Sequence, residues 1–565
     1  MNLRKFSVCL VLCSTVFLFF FSCNNNSTEV VTDPEDMDQQ TSKRIIIALE
    51  QAGKTGGRVD DSLTLKMTGT VKDFYTRNEF STVWSHMENW EPLTDTLIRF
   101  IQGAEYYGLF PKQYHLNTLL SIKQTLDGDS VKRMDPALWT RADLAFTDAF
   151  MLLMKDLKKG RLGNDSTFLK KTNQAPENDF YFTSLKTLLE QKKFSELIAS
   201  LEPGLKGYVQ LKEALPAFLD SMDRRVYTYV VYPFKPNDAK DSLFFIRLLQ
   251  KRLKESDCVE SIAKLPDSLQ LAVGIKKYQQ QKGLKVDGKI GAPLVKNMNN
   301  TDLERFKRIA ITLDRYKRMP AVMPEKYIWV NLPSYYMQVY DADTVVLESK
   351  IIIGKPQTRT PLLYSVISDM VTYPTWTVPN SIIKKQYLPK LKANPYYLSN
   401  IGLKLMDSKG EIIDPGTVNW SKYTKGIPYK VVQGSGDDNA LGVLKFNFSN
   451  PYMVYLHDTN ERYLFKNASR ALSHGCVRVE KWDKLAYYIA RNDSMNLKEG
   501  DSLKYNTDSI RTWLENKEKK RIGVKNGIPL FIAYFSCEAK NGKIRFYDDV
   551  YGEDKLMREK YFSAK

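Results

Sequence analysis

A cysteine and two histidines fall within 20 residues of one another late in this 565-residue chain. His457 ends an apolar run, and Cys476 follows 19 residues later, directly after His474 and Gly475. Thiolate is the attacking form of cysteine, and a free thiol with a pKa of about 8.5 needs a nearby base to reach it at neutral pH. A glycine before the nucleophile allows an unusual turn that can aim backbone N–H groups at an oxyanion. The segment therefore predicts a Cys476 nucleophile, a histidine base and an oxyanion donor at Gly475.

The residue types in this segment also suit three other roles. Zinc binding by the histidines, Cys476 and Asp458 is disfavoured, because zinc sites usually show paired ligands at short regular spacing such as HExxH or CxxC. A papain-like order is also disfavoured, since that family places its cysteine near the mature N-terminus with the histidine far downstream. The third interpretation is a buried structural cysteine beside a satisfied histidine. Cys258 lies among acidic residues and Cys537 in an apolar strand, so neither is expected to be reactive.

Composition limits the class of protein. Lys and Arg total 83 against 65 Asp and Glu, which gives a net charge of +18, and hydrophobic residues make up 43% of the chain. These values exclude a disordered tail, a collagen-like fibre and a polytopic membrane protein. The positive charge suits a polyanionic environment, although no nucleic-acid partner is expected. The length predicts three or four domains.

The first residues predict export. Arg4 and Lys5 precede the uncharged apolar run from Val8 to Phe21, which is too short to span a membrane. The run closes at Cys23 and turns abruptly polar, which resembles a bacterial lipoprotein lipobox. By that resemblance residues 1–22 are a signal peptide, Cys23 carries lipid, and residues 23–45 form a tether. The alternative is an ordinary signal peptide with an incidental cysteine.

Helical periodicity dominates residues 46–235, which we predict to be a helical scaffold domain. Leu93, Leu97, Ile98 and Ile101 form one apolar stripe, and the Leu144 to Leu157 stretch forms another that stops at Gly160. Residues 241–300 read as a three-helix module with a tight turn at Asp287-Gly288. This module resembles the peptidoglycan-binding module of bacterial wall enzymes, and a plain connector bundle is the alternative.

The period then changes from 3.6 to 2, which predicts a mainly β domain at residues 325–505. A loosely patterned insertion at about 395–440 is expected to lie over the sheet. Residues 506–565 are expected to pack on that domain, with the tail from Ile528 to Tyr551 as an extra hairpin. The predicted fold is thus multidomain α+β: a helical scaffold, a three-helix module and then a mainly β catalytic domain.

The chemistry-bearing residues resemble a known family. His457-Asp458-Thr459 followed by Ser473-His474-Gly475-Cys476-Val477-Arg478 looks like the active-site signature of the YkuD-type L,D-transpeptidases. Four further stretches resemble the YcbB-like subgroup in order and spacing: Ile352 to Pro356, Trp376 to Pro379, Asn439 to Gly442, and Tyr455 to Thr459. The resemblance covers most of residues 70–555.

This resemblance implies a periplasmic, carbapenem-sensitive acyltransferase that uses no cofactor or metal and acts on peptidoglycan stem peptides. Cys476 would attack the L,D peptide bond of a tetrapeptide stem, His457 would be the general base and Gly475 would stabilise the oxyanion. The implied substrate-binding residues are Arg478, Ser473, His474, Tyr455 and Asn439. The product would be a 3-3 crosslink. Lipid on Cys23 would hold the enzyme to a membrane, and the outer membrane of a Gram-negative cell is favoured because Asn24 follows Cys23 in place of the Asp linked to inner-membrane retention.

Two other functions stay open at this point. The same acyl-enzyme resolved by water would make an L,D-carboxypeptidase, because the acceptor depends on how the insertion excludes solvent. A non-catalytic lipoprotein that tethers peptidoglycan through residues 241–300 is the other, and the intact His457 and Cys476 argue against it.

Overall fold

The structure is a computed structural model that describes residues 31–162, 178–232, 239–262, 268–497 and 502–562. It divides into two compact units, one built from the chain up to residue 98 together with residues 115–149, the other from residues 99–114 and from residue 150 onward. The predicted signal peptide and Cys23 lie outside the described residues. No helix among the described residues has the length and apolar character needed to cross a bilayer.

Helices form most of the first unit. It contains α1 (Met37–Lys54), α2 (Thr68–Arg77), most of α3 (Pro92–Gln102), α4 (Leu116–Gly128), α5 (Ser130–Arg133), the first part of α6 (Pro136–Lys158), and the short strands β1 (Ser85–His86) and β2 (Asn89–Trp90). The apolar stripes predicted for α3 and α6 are buried. Helix α6 ends just before Gly160, whose φ of +77° is the left-handed conformation that favours glycine.

The predicted tether is shorter than expected. Residues 37–45 already belong to α1, and Met37, Thr41, Ile45 and Leu49 are all buried. Their spacing of four residues places them on one face of the helix. The polar residues between them hid this stripe in the sequence.

The second unit contains the remaining helices of the predicted scaffold and module, followed by one further helix. They are α7 (Asn178–Gln191), α8 (Phe194–Leu201), α9 (Lys206–Ser221), α10 (Ala239–Lys254), α11 (Ser268–Gln281), α12 (Ala292–Asn299) and α13 (Asp302–Tyr316). Helices α10 to α12 share one apolar cluster around Leu253, Ile275 and Met298. The side-chain amide of Gln279 donates to Asp287 Oδ1 at 2.8 Å, and Gly288 has a φ of +68°. The three predicted helices and their turn are present, and glycan binding by this module stays a prediction.

Strands then take over, as the change of period predicted. They are β3 (Lys326–Asn331), β4 (Tyr336–Asp341), β5 (Thr344–Gly354), β6 (Leu363–Thr372), β7 (Trp376–Thr377), β8 (Leu403–Met406), β9 (Lys430–Gln433), β10 (Leu444–Phe448), β11 (Leu456–His457), β12 (Ala471–Ser473), β13 (Val477–Val479), β14 (Arg521–Ala533), β15 (Cys537–Lys540) and β16 (Lys543–Phe546). Nine of them form one sheet in the order β12-β5-β13-β11-β10-β6-β14-β3-β4. Strand β4 also pairs with β5, so the sheet closes on itself.

Strand β14 corrects the prediction of an extra C-terminal hairpin. It lies between β6 and β3 and pairs with both, so it is an integral part of the closed sheet. A hairpin does follow, formed by β15 and β16. Sequence patterning predicts that a segment is a strand, but it cannot tell which distant strand will be its neighbour.

The insertion is a small folded subdomain that begins earlier than predicted, at Trp376 rather than at about residue 395. Strands β7, β9 and β8 form its sheet. Its helices are α14 (Asn380–Ile382), α15 (Leu388–Ala393) and α16 (Tyr397–Asn400), with one π-helical turn between the first two. Leu391, Trp420 and Val431 are buried in a core of its own. We refer to residues 376–433 as the inserted subdomain.

One face of the main sheet is apolar and packs into the core. The opposite face does not belong to this core. Ile328, Met337, Ile353, Phe446 and Leu456 belong to the core, which α17 (Trp482–Met495) and α18 (Thr507–Glu515) extend. Because side chains alternate along a strand, the residues between them lie on the opposite face. We call this the outer face. Helix α19 (Glu553–Tyr561) follows the β15–β16 hairpin.

Candidate active site

Strand register brings the predicted catalytic residues to one patch of the outer face. His457 on β11 lies opposite Arg478 on the parallel strand β13 and opposite Lys445 on the antiparallel strand β10. Cys476 and Tyr455 each lie two residues before members of that row, so alternation puts them on the same face. The Lys445 ammonium lies 3.9 Å from the centre of the Tyr455 ring, which shows that these side chains meet.

His457 is buried, with 4% of its surface exposed, and its Nδ1 atom has no hydrogen-bond partner among the described residues. Burial lowers the pKa of the ring to about 3, and the positive charge of Arg478 acts in the same direction. The backbone of Asp458 and Leu441 opposes this shift. The imidazole is therefore neutral at physiological pH, with one ring nitrogen left to exchange a proton.

Cys476 is half-buried and sits immediately before β13. Burial raises the pKa of its thiol, while hydrogen bonding by Tyr455 and the charges of Lys445 and Arg478 pull that pKa back down. Burial also raises the pKa of the Tyr455 phenol, so its hydroxyl stays protonated and able to donate. The surroundings of the sulfur thus combine burial, which disfavours the thiolate, with donors and cations that favour it.

The turn before Cys476 is held by Ser473, which is buried. Its hydroxyl donates to the Cys476 carbonyl at 2.6 Å and accepts the Gly475 N–H at 3.1 Å. Gly475 has a φ of +126°, a conformation that favours glycine. Its N–H is thus engaged by Ser473 here, whereas no acceptor for the Cys476 N–H is seen in the described part of the chain. Ser473 braces the turn instead of facing a substrate.

His474 is placed differently from His457. Its side chain is exposed, and its Nε2 meets the Gln386 side-chain amide of the inserted subdomain. The sequence alone did not decide which of the two histidines is the base. Only His457 of the pair combines burial with an unpartnered ring nitrogen and lies on a strand that pairs with β13, the strand directly after Cys476.

Arg478 is largely buried and donates to Glu461 at 2.6 Å, and Glu461 itself is 43% exposed along its side chain. The predicted stem carboxylate would therefore have to replace Glu461. Asn439 does not present a free amide: its Nδ2 donates to the Gly434 carbonyl at 2.7 Å, and its Oδ1 accepts the Leu441 N–H at 2.8 Å. Asn439 shapes its own loop instead of offering a substrate contact.

Four residues of the site were not predicted as functional. Trp376 began a quoted motif without a role, and Lys445 follows shortly after another. Yet Lys445 acts on the thiol pKa, and Trp376 hydrogen-bonds the Tyr455 side chain. Gln386 and Glu461 carried no signal at all. The alternation of β10 could have identified Lys445, since a lysine between Leu444 and Phe446 must lie opposite the core.

The other described cysteines are structural. Cys258 and Cys537 are buried, and burial raises the pKa of Cys537 to about 12. Within the described residues, no group of three or more His, Cys, Asp or Glu side chains is arranged to hold a metal ion.

Comparison with protein families matches two segments of the chain. Residues 325–497 match the L,D-transpeptidase catalytic domain, the YkuD family, and residues 69–215 match a scaffold domain. The first segment contains all the residues of the site described above. Strand β14 lies beyond it although the structure shows that strand within the same sheet.

One curated relative is a putative L,D-transpeptidase of Haemophilus influenzae, 36% identical over 251 residues. The match covers 44% of this chain and 49% of the relative, so the chain spans about half the length of the relative it matches. Among solved structures, an L,D-transpeptidase from Mycobacterium smegmatis is 12% identical over 37% of this chain and 58% of that chain, with a TM-score of 0.17. An Enterococcus faecium L,D-transpeptidase is 15% identical over 37% and 50%, also at 0.17.

Proposed function

The chain carries an L,D-transpeptidase catalytic domain of the YkuD type, and from that premise we propose that it forms 3-3 crosslinks in peptidoglycan through a Cys476 acyl-enzyme. The observation that carries the proposal is the buried, unpartnered Nδ1 of His457 on the same face of the sheet as the half-buried Cys476. A neutral buried imidazole beside a thiol is the pairing that nucleophilic cysteine chemistry requires.

The first half-reaction forms a thioester. His457 takes the Cys476 proton, and the thiolate adds to the carbonyl that the stem diaminopimelate contributes to its bond with D-alanine. The tetrahedral oxyanion is held by the Cys476 N–H, with the Gly475 N–H available once it leaves Ser473. When the C–N bond breaks, the imidazolium returns its proton to the leaving amine, and D-alanine departs.

The second half-reaction returns the thiol. The side-chain amine of a diaminopimelate on a neighbouring stem attacks the thioester, and neutral His457 takes the proton that this amine loses. The C–S bond breaks, an amide forms, and the thiolate recovers a proton from the imidazolium. The low pKa of His457 means that its ring is neutral before each attack, so a nitrogen lone pair is available to accept the proton.

Arg478 and the inserted subdomain would position the stem. The Arg478 guanidinium can hold a carboxylate with two parallel hydrogen bonds, a geometry that lysine cannot supply. Gln386 and Trp376 reach the site from the inserted subdomain and contact His474 and Tyr455. A cover of this kind would favour an amine acceptor over water by excluding solvent.

The cellular location is a separate part of the proposal. Lipid on Cys23 would anchor the enzyme to the periplasmic side of a membrane, with the polar residues before α1 as tether. This rests on the sequence alone. Fractionation of wild type against Cys23→Ala tests it: wild type is expected with the membrane, and an equal soluble share of both forms would contradict it.

The function is tested by digesting wall material after treatment with the purified full chain and identifying muropeptides by mass spectrometry. Wild type and Cys258→Ala are expected to produce 3-3 dimers, and Cys476→Ala is not. Accumulation of tripeptide monomers without dimers would mean that water is the acceptor, and the enzyme would then be an L,D-carboxypeptidase.

A further inference from the structure

A cavity of about 970 Å³ lies in the second unit away from the catalytic residues. The outer face of β3 and β4 forms one wall, and the start of α9, the segment after α13 and the β15–β16 hairpin form the others. Its volume is at the upper end of the roughly 300–1,000 Å³ typical of small-molecule sites. The catalytic residues do not line it, so it needs an explanation of its own.

The wall has an unusual composition for the polar side of a sheet. The outward positions of β3 are Tyr327, Trp329 and Asn331, and those of β4 are Tyr336, Gln338 and Tyr340. A solvent-facing sheet normally carries charged and small polar residues at such positions. Here four of the six positions are aromatic and two are amides. The Asn331 amide is engaged by the Phe535 backbone, and the Gln338 amide donates to Glu348 and accepts from Tyr340.

The rings are fixed in place. Tyr327 and Tyr340 face each other across the two strands and stack at 4.7 Å with an interplanar angle of 5°. Trp329 lies beside them, half-buried, with its ring 5.1 Å from that of Phe535. No hydrogen bond from the Trp329 indole is seen among the described residues. Rigid rings cost little entropy when a ligand binds, and an unengaged indole N–H is free to donate to it.

Charge in the cavity is balanced although the chain carries +18. Its lining includes three cationic and three anionic side chains, namely Lys206, Lys540, Arg545, Asp343, Glu348 and Glu538. An acidic peptide, an anionic lipid or a nucleic acid would be met by an excess of positive charge. The balance favours a neutral ligand with many hydroxyl or amide groups.

The backbone of this wall cannot add a peptide strand. Strand β4 pairs with β3 on one side and with β5 on the other, so its N–H and C=O groups are used within the sheet. Recognition must come from side chains. The Trp329 ring face and indole N–H, together with the Gln338 N–H that is not donated to Glu348, complement the C–H, hydroxyl and acetamido groups of a pyranose chain.

We propose that this cavity, centred on Trp329, Gln338 and Tyr340, binds a neutral N-acetylated sugar chain. The sugar class follows from the lining, and its identification as wall glycan rests on the proposed function. Strand β5 links the two sites, since Glu348 lines the cavity and Ile352 pairs with Arg478. These residues are four apart on one strand, about 13 Å at 3.3 Å per residue. A glycan held here would keep its stem peptides close to Cys476.

The test is binding by isothermal titration to the full chain, with tetra-N-acetylchitotetraose and a synthetic wall glycan as probes; the lactyl groups of the second probe carry L-alanine amide, which keeps them uncharged. Trp329→Ala removes the central ring. Val345→Trp fills the cavity from its lip, where Val345 is 40% exposed, so it removes no buried contact. Tyr106→Ala, at an exposed tyrosine outside the cavity, is the matched control. Cys476→Ala is the control for the catalytic site.

For each probe, Tyr106→Ala and Cys476→Ala are expected to bind with the same affinity as wild type. The two cavity variants are expected to bind at least tenfold more weakly than wild type. Acylation of Cys476 by a carbapenem, followed by intact mass, should be unchanged in both cavity variants. Failure of wild type to bind either probe, or wild-type affinity in both cavity variants, would overturn the inference. Glycan binding without 3-3 dimers would instead overturn only the proposed function.

Discussion

The Lys445 ammonium lies 3.9 Å from the centre of the Tyr455 ring, and both side chains lower the pKa of the Cys476 thiol. Burial lowers the pKa of Lys445 itself, and the charge of a thiolate at Cys476 opposes that shift. The lysine and the thiol are thus electrostatically linked across two strands.

We expect Lys445→Met to raise the thiol pKa, because a cation that stabilises the thiolate is lost. The pH midpoint of Cys476 alkylation should move upward by about one unit, in line with the effect of a nearby charge. The measurement is the rate of iodoacetamide modification against pH in a Cys258→Ala background. Lys466→Met, at an exposed lysine, is the control and should leave the midpoint unchanged.

Substitutions at Arg478 and at Glu461 are expected to change KM in opposite directions. Arg478→Lys is expected to raise KM for a tetrapeptide stem roughly tenfold, about 1.4 kcal/mol, because a point charge cannot make a two-pronged contact. Glu461→Gln should lower KM, since it removes the competitor now paired with Arg478 at 2.6 Å. If neither variant changed KM while both lowered the melting temperature, the ion pair would be structural only.

The low pKa of His457 predicts how stability depends on pH. The folded ring has a pKa of about 3 against 6.5 in the unfolded chain, so between these values the unfolded state binds the extra proton. Stability is therefore present in full above pH 6.5 and is lost as the pH falls towards 3. The difference between pH 7 and pH 5 amounts to about 2 kcal/mol from this one residue.

His457→Gln should remove this pH dependence while keeping the shape of the side chain. We expect a smaller drop in melting temperature between pH 7 and pH 5 for the variant than for wild type. His86→Gln, on an exposed histidine in the first unit, should behave like wild type. Identical drops in all three proteins would show that His457 titrates normally.

Substitution of Gly475 tests the importance of the backbone conformation of the turn before Cys476. An added Cβ would meet no atom closer than 3.6 Å, so Gly475→Ala is opposed by its φ of +126° and not by a clash. We expect a strain of about 1–3 kcal/mol, relieved by movement of Cys476, with a large loss of kcat. Gly283→Ala has a φ of +62°, open space around it and no link to the site, and should retain activity. Equal activity in both variants would remove the turn from the mechanism.

Local patterns predicted most of what is local. The helix stop at Gly160, the tight turn at Asp287-Gly288, and the grouping of His457 with Cys476 all depend on residues close in sequence. Turn chemistry and periodicity act over such distances, so the sequence carries them directly.

Non-local relationships were missed for a physical reason. Three relationships depend on the order of strands in the sheet or on which side chains reach one another in the folded chain. They are the place of β14 between β6 and β3, the Gln386 contact to His474, and the ion pair of Arg478 with Glu461. The sequence did not predict the first turns of α1. A helix that packs on one side only needs just a narrow apolar stripe, and such a stripe is hard to recognise among polar residues.

The most direct test of the central claim is the intact mass of the full chain after mixing with a carbapenem or with a tetrapeptide stem. Wild type and Cys258→Ala should gain one acyl group, and with the tetrapeptide the added mass should equal the stem minus D-alanine. Cys476→Ala should gain nothing, and its crosslinking should fall below roughly a tenth of wild type, the level at which another nucleophile would have to be invoked. An acyl adduct on Cys476→Ala, or none on wild type, would contradict the account.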